Sequence, residues 1–181
     1  MRLFRTILVA AVLHGLFTVS IPLLLVKLGN GTPLPQAFSG VFPALGFALV
    51  VLGAGVYAWA LTELFLSTDA APVPLAHPVR LRTSGIYARV RNPLLLGVVT
   101  ILLGEATWFH SLLVLGYAIL YWTLLHMFVM RVEEPDLERR FGASYFSYKV
   151  RVPRWIPRVG AIGSSLVEGR SNTHQPRSRQ D

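Results

Sequence analysis

The chain has 181 residues, of which 53% are hydrophobic and only 14% charged, and its 17 Lys and Arg against 9 Asp and Glu leave a formal net charge of +8. That length suits one domain, and so apolar a composition excludes an ordinary soluble protein, so an integral membrane protein is expected. Cysteine is absent, which excludes disulfides, thiolate metal sites and cysteine nucleophiles; the basic residues crowd beside apolar runs and in the tail, so anionic lipid headgroups suit them better than nucleic acid.

Four apolar runs approach the roughly 20 residues needed to cross a bilayer: residues 6–26, 41–66, 94–109 and 112–130. The first follows Arg2 and Arg5 and contains His14. It is longer than a signal-peptide core and lacks a clean small-residue cleavage pattern, so it reads as a span. Lys27 is the one cation of the next connection, where Asn30-Gly31-Thr32 fits a glycosylation sequon of little specificity. In the second run, Gly53-Ala54-Gly55-Val56-Tyr57-Ala58 matches the dinucleotide fingerprint. It lies inside a continuous apolar stretch without a strand or turn before it, so close helix packing is the better reading. Glu63 ends this run.

The second connection carries Pro72, Pro74 and Pro78, which favour a shaped, extended loop, and the cations Arg80, Arg82, Arg89 and Arg91. Pro93 then opens the third run, at a position where its missing N–H costs nothing. Arg91 and Asn92 are thereby held at a helix entrance, where free backbone donors and the helix dipole favour an anion. The third run contains Glu105 and is short for a bilayer of about 30 Å, so local thinning or interfacial Pro93 and Trp108 are expected. No Lys or Arg lies between the third and fourth runs. This distribution puts both termini and the second connection on the cytoplasmic side.

The fourth run contains His126 and passes into Glu133-Glu134-Pro135-Asp136-Leu137, then Phe141-Gly142, Tyr145, Tyr148 and Val152-Pro153-Arg154-Trp155-Ile156-Pro157. In a helix, Glu133, Leu137, Phe141, Tyr145 and Tyr148 share one face, with Glu134 at its edge. Gly142 is where such a helix would split in two. Carboxylates and aromatic rings beside a bilayer suit a cationic ligand. The plainer alternatives are span-ending charges for the glutamates, membrane anchors for Arg89 and Arg91, and interfacial belt residues for the tyrosines. Beyond Pro157 the composition turns to Gly, Ser, Arg and Gln, and a disordered tail is expected.

Taken in order, Gly85-x-Tyr87-x-x-x-Arg91-Asn92-Pro93, a helical hairpin, Glu133-Glu134-x-x-Leu137, Phe141-Gly142-x-x-Tyr145-x-x-Tyr148 and Val152-Pro153 resemble the isoprenylcysteine carboxyl methyltransferases and the related phospholipid methyltransferases. The resemblance covers residues 68–157, about half the chain. It implies an all-α, polytopic membrane enzyme with about four transmembrane helices. It also implies S-adenosylmethionine, held on the cytoplasmic side by the loop before the third span and by a C-terminal helical region. Carried over by motif, Tyr87, Arg91, Asn92 and Pro93 belong to the first half of the cofactor site, and Glu133, Glu134, Tyr145 and Tyr148 to the second. Many relatives have His in place of Asn92 and Tyr in place of Leu95, a departure within the pocket itself. The implied organisation is two N-terminal spans over 1–66, a methyltransferase core over 67–157 and a tail over 158–181.

Methyl transfer from a sulfonium is an in-line displacement that needs alignment and exclusion of water, and no metal. The acceptor is expected to be lipid-tailed and to enter from the membrane. A carboxylate acceptor needs no base, whereas an amine must first lose a proton. Glu63 and His126 are then the candidate bases, with Arg91 the candidate ligand-contacting cation. The rival readings are a membrane reductase of the sterol-reductase type using NADPH and a non-catalytic membrane subunit that keeps the fold.

Overall fold

The longest uninterrupted apolar run becomes the longest uninterrupted helix. The computed structural model describes residues 15–29, 40–66 and 81–158, and these are helical apart from short connections, with no strand among them. A widened π-helical turn, Leu16–Ser20, leads into α1, Ile21–Leu28; then come α2, Val41–Leu66, α3, Pro93–Trp108, α4, Leu112–Phe128, a second π-helical turn, Val129–Glu133, α5, Glu134–Phe141, and α6, Ala143–Arg151. Arg2, Arg5, His14, the sequon, Pro72, Pro74, Pro78, Arg80 and the tail beyond residue 158 lie outside the described residues.

Two helical stretches are long and apolar enough to cross a membrane: Val41–Leu64, and the 30 residues Leu112–Phe141 that run through α4, the π turn and α5. At 1.5 Å per residue the second measures about 45 Å, well beyond a hydrocarbon core of about 30 Å. Its charges all follow Met130, so the last third projects out of the apolar layer. The first and third expected spans are represented by the shorter apolar helices Leu16–Leu28 and Pro93–Trp108.

The main packing is α2 against α3, and glycine makes it possible. A Cβ on Gly53 would stand 2.7 Å from the Gly97 carbonyl oxygen, and one on Gly46 2.4 Å from the Trp108 nitrogen. The two backbones are therefore in direct contact, and the fingerprint-like stretch serves helix packing through Gly53, while Gly55 faces open space. α4 packs against α3 as well, with Val98, Leu102 and Ala118 buried between them and Tyr57 of α2, Tyr117 and Tyr121 around them. At the turn between α3 and α4, Ser111 caps α4 by accepting from the Val114 N–H. Trp108 meets Phe47 edge-on there, and His110 meets Phe42.

At the opposite end the chain departs from the single helical face expected over residues 133–148. Gly142, at φ 49° and ψ −125°, separates α5 from α6, a conformation that disfavours residues with a Cβ. Leu137, Phe141, Tyr145 and Tyr148 still converge, together with Val152 and Leu81, but as a cluster folded around the break. The acidic pair is also shifted. Glu134, expected at the edge of the face, is buried, and Glu133 is only half-buried. The physical reason is the π turn ahead of it: a wider turn adds a residue, so a 3.6-residue count does not carry through. From Glu134 onward the spacings of three to Leu137 and seven to Phe141 put Glu134 on the packed side.

Candidate active site

Arg91 leaves the loop one residue before the cap of α3, and the exit segment after α6 holds its backbone in place. The Arg91 N–H donates to the Pro153 carbonyl at 2.9 Å, and the Arg158 N–H to the Arg89 carbonyl at 2.9 Å. The loop itself is tightened by a 3₁₀ turn, Gly85–Ala88, that buries Ile86 and Val90 against Ala60 of α2. Tyr148 ties the same turn to α6, its hydroxyl donating to the Tyr87 carbonyl at 2.8 Å. Three separate pieces of chain, the loop, the start of α5 and the exit segment, thus meet at one end of the helices.

Glu134 is where they meet. Arg91 Nη1 donates to Glu134 Oε1 at 2.8 Å, and Arg154 grips both oxygens, Nε to Oε1 at 2.6 Å and Nη2 to Oε2 at 2.8 Å. Lys149 Nζ lies 4.0 Å from Oε2. A two-pronged guanidinium contact of this kind gives direction as well as charge. Burial pushes the Glu134 carboxyl up, but the Arg154 hydrogen bond and the charges of Arg91, Arg154 and Lys149 outweigh it and hold the group below its usual range. The same hydrogen bond raises Arg154 against the opposing effect of its own burial.

The rings around this centre are donors that stay protonated. Burial, reinforced by the Glu134 charge and opposed by Arg91, raises the Tyr145 phenol. Burial dominates at Tyr148 as well, and it pushes Tyr87 up to about 12, Arg82 opposing and Glu133 and Glu63 reinforcing. Tyr145 and Tyr148 are buried inside the cluster rather than spread along a surface.

Two polar groups at this centre remain uncommitted. Arg91 Nε is buried without a hydrogen-bond partner, although Nη1 of the same guanidinium donates to Glu134. The Glu133 carboxylate has no cation within ion-pair distance among the described residues, and burial together with the neighbouring Glu134 charge raises it. An unfilled donor on Arg91 and a carboxylate next in sequence to the Glu134 that Arg91 holds are what a ligand with both kinds of charge would meet.

The other sequence candidates sit around this centre. Pro93 is buried at the first position of α3, and Asn92 caps that helix without a side-chain capping bond, its Nδ2 reaching the Arg154 carbonyl at 3.5 Å. Glu63, at the end of α2, takes Arg82 at 3.4 Å and the Trp59 ring N–H at 3.4 Å, and its carboxylate lies against Gly85. His126 accepts from the Trp155 ring N–H at its Nδ1, 2.9 Å away, and Trp122 packs on both rings. The structure therefore gathers Tyr87, Arg91, Asn92, Pro93, Glu133, Glu134, Tyr145 and Tyr148 together, and leaves Glu63 and His126 in flanking contacts of their own. Sequence reasoning passed over Arg154, Lys149 and Trp155 as site members. Their one signal was the Val152-Pro153-Arg154-Trp155 exit, in which no periodicity marks an ion pair to a residue 20 positions earlier.

The family model for phospholipid methyltransferases matches residues 41–144. The chain belongs to the phospholipid methyltransferase family. The matched segment holds Glu63, the Tyr87–Pro93 loop end, α3, α4 and the glutamate pair, and stops just before Tyr145. Methanethiol S-methyltransferase 2 of Bradyrhizobium diazoefficiens is 35% identical over 82 residues, which make up 44% of this chain. That alignment spans 30% of the relative's own length. Membership of a phospholipid methyltransferase family and two helices of membrane-crossing length together support a membrane location.

Proposed function

We propose that this chain is an integral-membrane methyltransferase using S-adenosylmethionine, with a lipid or lipid-modified acceptor reaching the Arg91–Glu134 end of the helices from the bilayer. The observation that carries the reading is the buried Arg91–Glu134–Arg154 cluster, flanked by an uncommitted Arg91 Nε and an uncommitted Glu133 carboxylate. The residues fit the cofactor. Glu133 can accept from its ammonium or hydroxyl groups, Arg91 Nε can donate to its carboxylate, and the aromatic walls suit a sulfonium. When bound, the cofactor would supply a sulfonium methyl carbon open to in-line attack by an acceptor lone pair, the carbon–sulfur bond breaking to release the neutral thioether.

Within this reading Glu134 and Arg154 position Arg91, Tyr148 positions the Tyr87 turn, and Glu133 makes the charged contact. Glu63 is held by Arg82, and His126 already accepts at Nδ1, which leaves Nε2 to carry the hydrogen. Both are already engaged in contacts of their own, so an acceptor that arrives ionised and needs no base, such as a carboxylate, suits the geometry better than an ammonium. A thiol acceptor is the second reading, favoured by the name of the Bradyrhizobium relative. We place the site on the cytoplasmic side of a four-span molecule whose core covers residues 67–157.

Calorimetric titration of the purified protein with S-adenosylmethionine and, separately, NADPH tests the cofactor. Binding of the first and not the second is expected, and the reverse result would establish the reductase reading instead. Transfer of labelled methyl to phosphatidylethanolamine, to a prenylated cysteine carboxylate or to methanethiol then assigns the acceptor, with the carboxylate expected to react.

A further inference from the structure

Helix α6 has a second apolar face that nothing in the site uses. Its inner face, Tyr145 and Tyr148 with Val152 beyond, is buried in the cluster around Glu134. On the outer side Phe146 is 64% exposed and Val150, one turn later, 72%, and with Ser147 and Arg151 they line a surface groove. The exit segment extends the patch: Arg158 Nη1 donates to the Arg151 carbonyl, and nearby Ile156 is 79% exposed.

The cations of α5, α6 and the exit segment that have no acidic partner among the described residues leave an excess of positive charge there. Arg139, Arg151 and Arg158 are exposed and have no carboxylate partner among the described residues, whereas the acids of α5 are already paired, Asp136 with Arg140 and Glu138 with Lys149. The patch is also close to the membrane entrance. The Tyr148 hydroxyl bonds the Tyr87 carbonyl, and Pro153 bonds Arg91, two residues before the first residue of α3. A helix with one buried face, an opposite apolar face and a basic margin, held beside the start of a span, has the character of an interfacial helix.

We infer that the outer face of α6, with Phe146, Val150 and Ile156 as its apolar part and Arg139, Arg151 and Arg158 as its margin, rests in the anionic headgroup layer of the membrane the chain spans. Charge complementarity selects anionic lipid over a neutral surface. The helix whose inner face carries Tyr145 and Tyr148 is thereby seated on the bilayer surface, which fixes the height of the site above the acyl chains. This placement depends on membrane insertion but not on the identity of the cofactor or acceptor.

The natural absence of cysteine makes each introduced thiol unique. Nitroxide labels at Phe146→Cys and Val150→Cys would be read in the full chain, reconstituted in phosphatidylcholine with and without phosphatidylglycerol. A label at Leu124→Cys, exposed on α4, serves as the lipid reference. Expected is a severalfold lower collision rate with an aqueous nickel chelate and a higher one with oxygen, approaching the Leu124 values when phosphatidylglycerol is present. The combined Arg139→Gln, Arg151→Gln and Arg158→Gln variant should lose the phosphatidylglycerol increment. Labels open to the nickel chelate in both bilayers would overturn the inference, as would labels closed to both reagents, which would mean that protein covers the patch. Equal accessibility in the two bilayers would overturn the selection of anionic lipid.

Discussion

Two adjacent glutamates of identical chemistry receive opposite environments, and this separates their roles. Glu134 is enclosed by Arg91 and Arg154, so Glu134→Gln leaves two guanidinium groups without their shared carboxylate. Breaking a buried pair costs about 3–5 kcal/mol, with the low end expected because Arg154 is partly exposed. Its melting temperature in detergent should therefore fall along with cofactor affinity. Glu133 has no ion-pair partner among the described residues, so Glu133→Gln should keep the melting temperature and lose cofactor affinity by roughly 100-fold, or about 2.7 kcal/mol. Glu138→Gln, which breaks an exposed pair with Lys149, serves as a control at about 1 kcal/mol or less. Equal effects at all three positions would remove the distinction. The pH dependence has a definite sign as well: a carboxyl depressed in the folded state stabilises above its unfolded value, near 4.5, and that stability is lost as pH falls through the depressed folded value. Acid unfolding below about pH 4.5 should therefore carry a component that Glu134→Gln abolishes. A sequence count along one helix could not assign these roles, because the partners of Glu134 lie 43 and 20 residues away and a π turn shifts the register just before it.

At the scale of elements, what was legible depended on whether the cause was local. Apolar run length located α2, α3 and α4 to within a few residues, Pro93 marked the start of α3, and Gly142 marked the break between α5 and α6. The two contacts that set how the elements meet are made by glycines whose neighbours are remote in sequence. At Gly97 a Cβ would lie 2.8 Å from the Tyr57 nitrogen and 2.9 Å from the Gly53 oxygen, whereas Gly55 has open space around it. Gly97→Leu should then destabilise by at least the roughly 1–3 kcal/mol of overpacking, and Gly55→Leu should be close to neutral; matching thermal shifts would contradict the backbone contact. Gly85 is constrained twice, by φ +57° and by the Glu63 carboxylate, whose Oε1 would stand 2.1 Å from an added Cβ. The conformation costs a residue with a Cβ about 1–2 kcal/mol, and the contact drives Glu63 off Arg82. In Gly85→Ala the loop holding Tyr87 and Arg91 should shift and cofactor affinity should fall. Adding Glu63→Ala removes the clash and should recover part of the loss, an interaction energy that a double-mutant cycle reads directly. Strict additivity would show that Gly85 and Glu63 act independently.

At the scale of the whole molecule the two ends of the helices differ in charge, and the proposed orientation rests on that difference. The end that holds Arg91, Glu134 and Arg154 also carries Arg82, Arg89, Arg131, Arg139, Arg140, Lys149, Arg151 and Arg158, while the α3–α4 turn at the other end, Phe109, His110 and Ser111, has no Lys or Arg and is edged by Phe47 and Trp108. Cations are retained on the cytoplasmic side during insertion and aromatic rings collect at interfaces. A molecule inserted the other way would carry that cationic cluster across the membrane. Under the proposed function it would also present the cofactor site to the compartment that lacks the methyl donor. Reporter fusions at Ala76 and Ser164 should therefore report the cytoplasm, and fusions at Gly31 and His110 the outer face. Of the four, His110 and Ala76 decide most, because α3, with Pro93 at the site end and Trp108 at the other, is the one described helix connecting them. At 16 residues α3 is about 24 Å long, short of a hydrocarbon layer of about 30 Å. Its backbone lies directly on α2, which at 26 residues reaches about 39 Å. The shorter helix can therefore cross inside the shelter of the longer one with the layer thinned around its ends. If Ala76 and His110 report the same compartment, α3 does not cross, and the lateral route for a lipid-tailed acceptor falls with it.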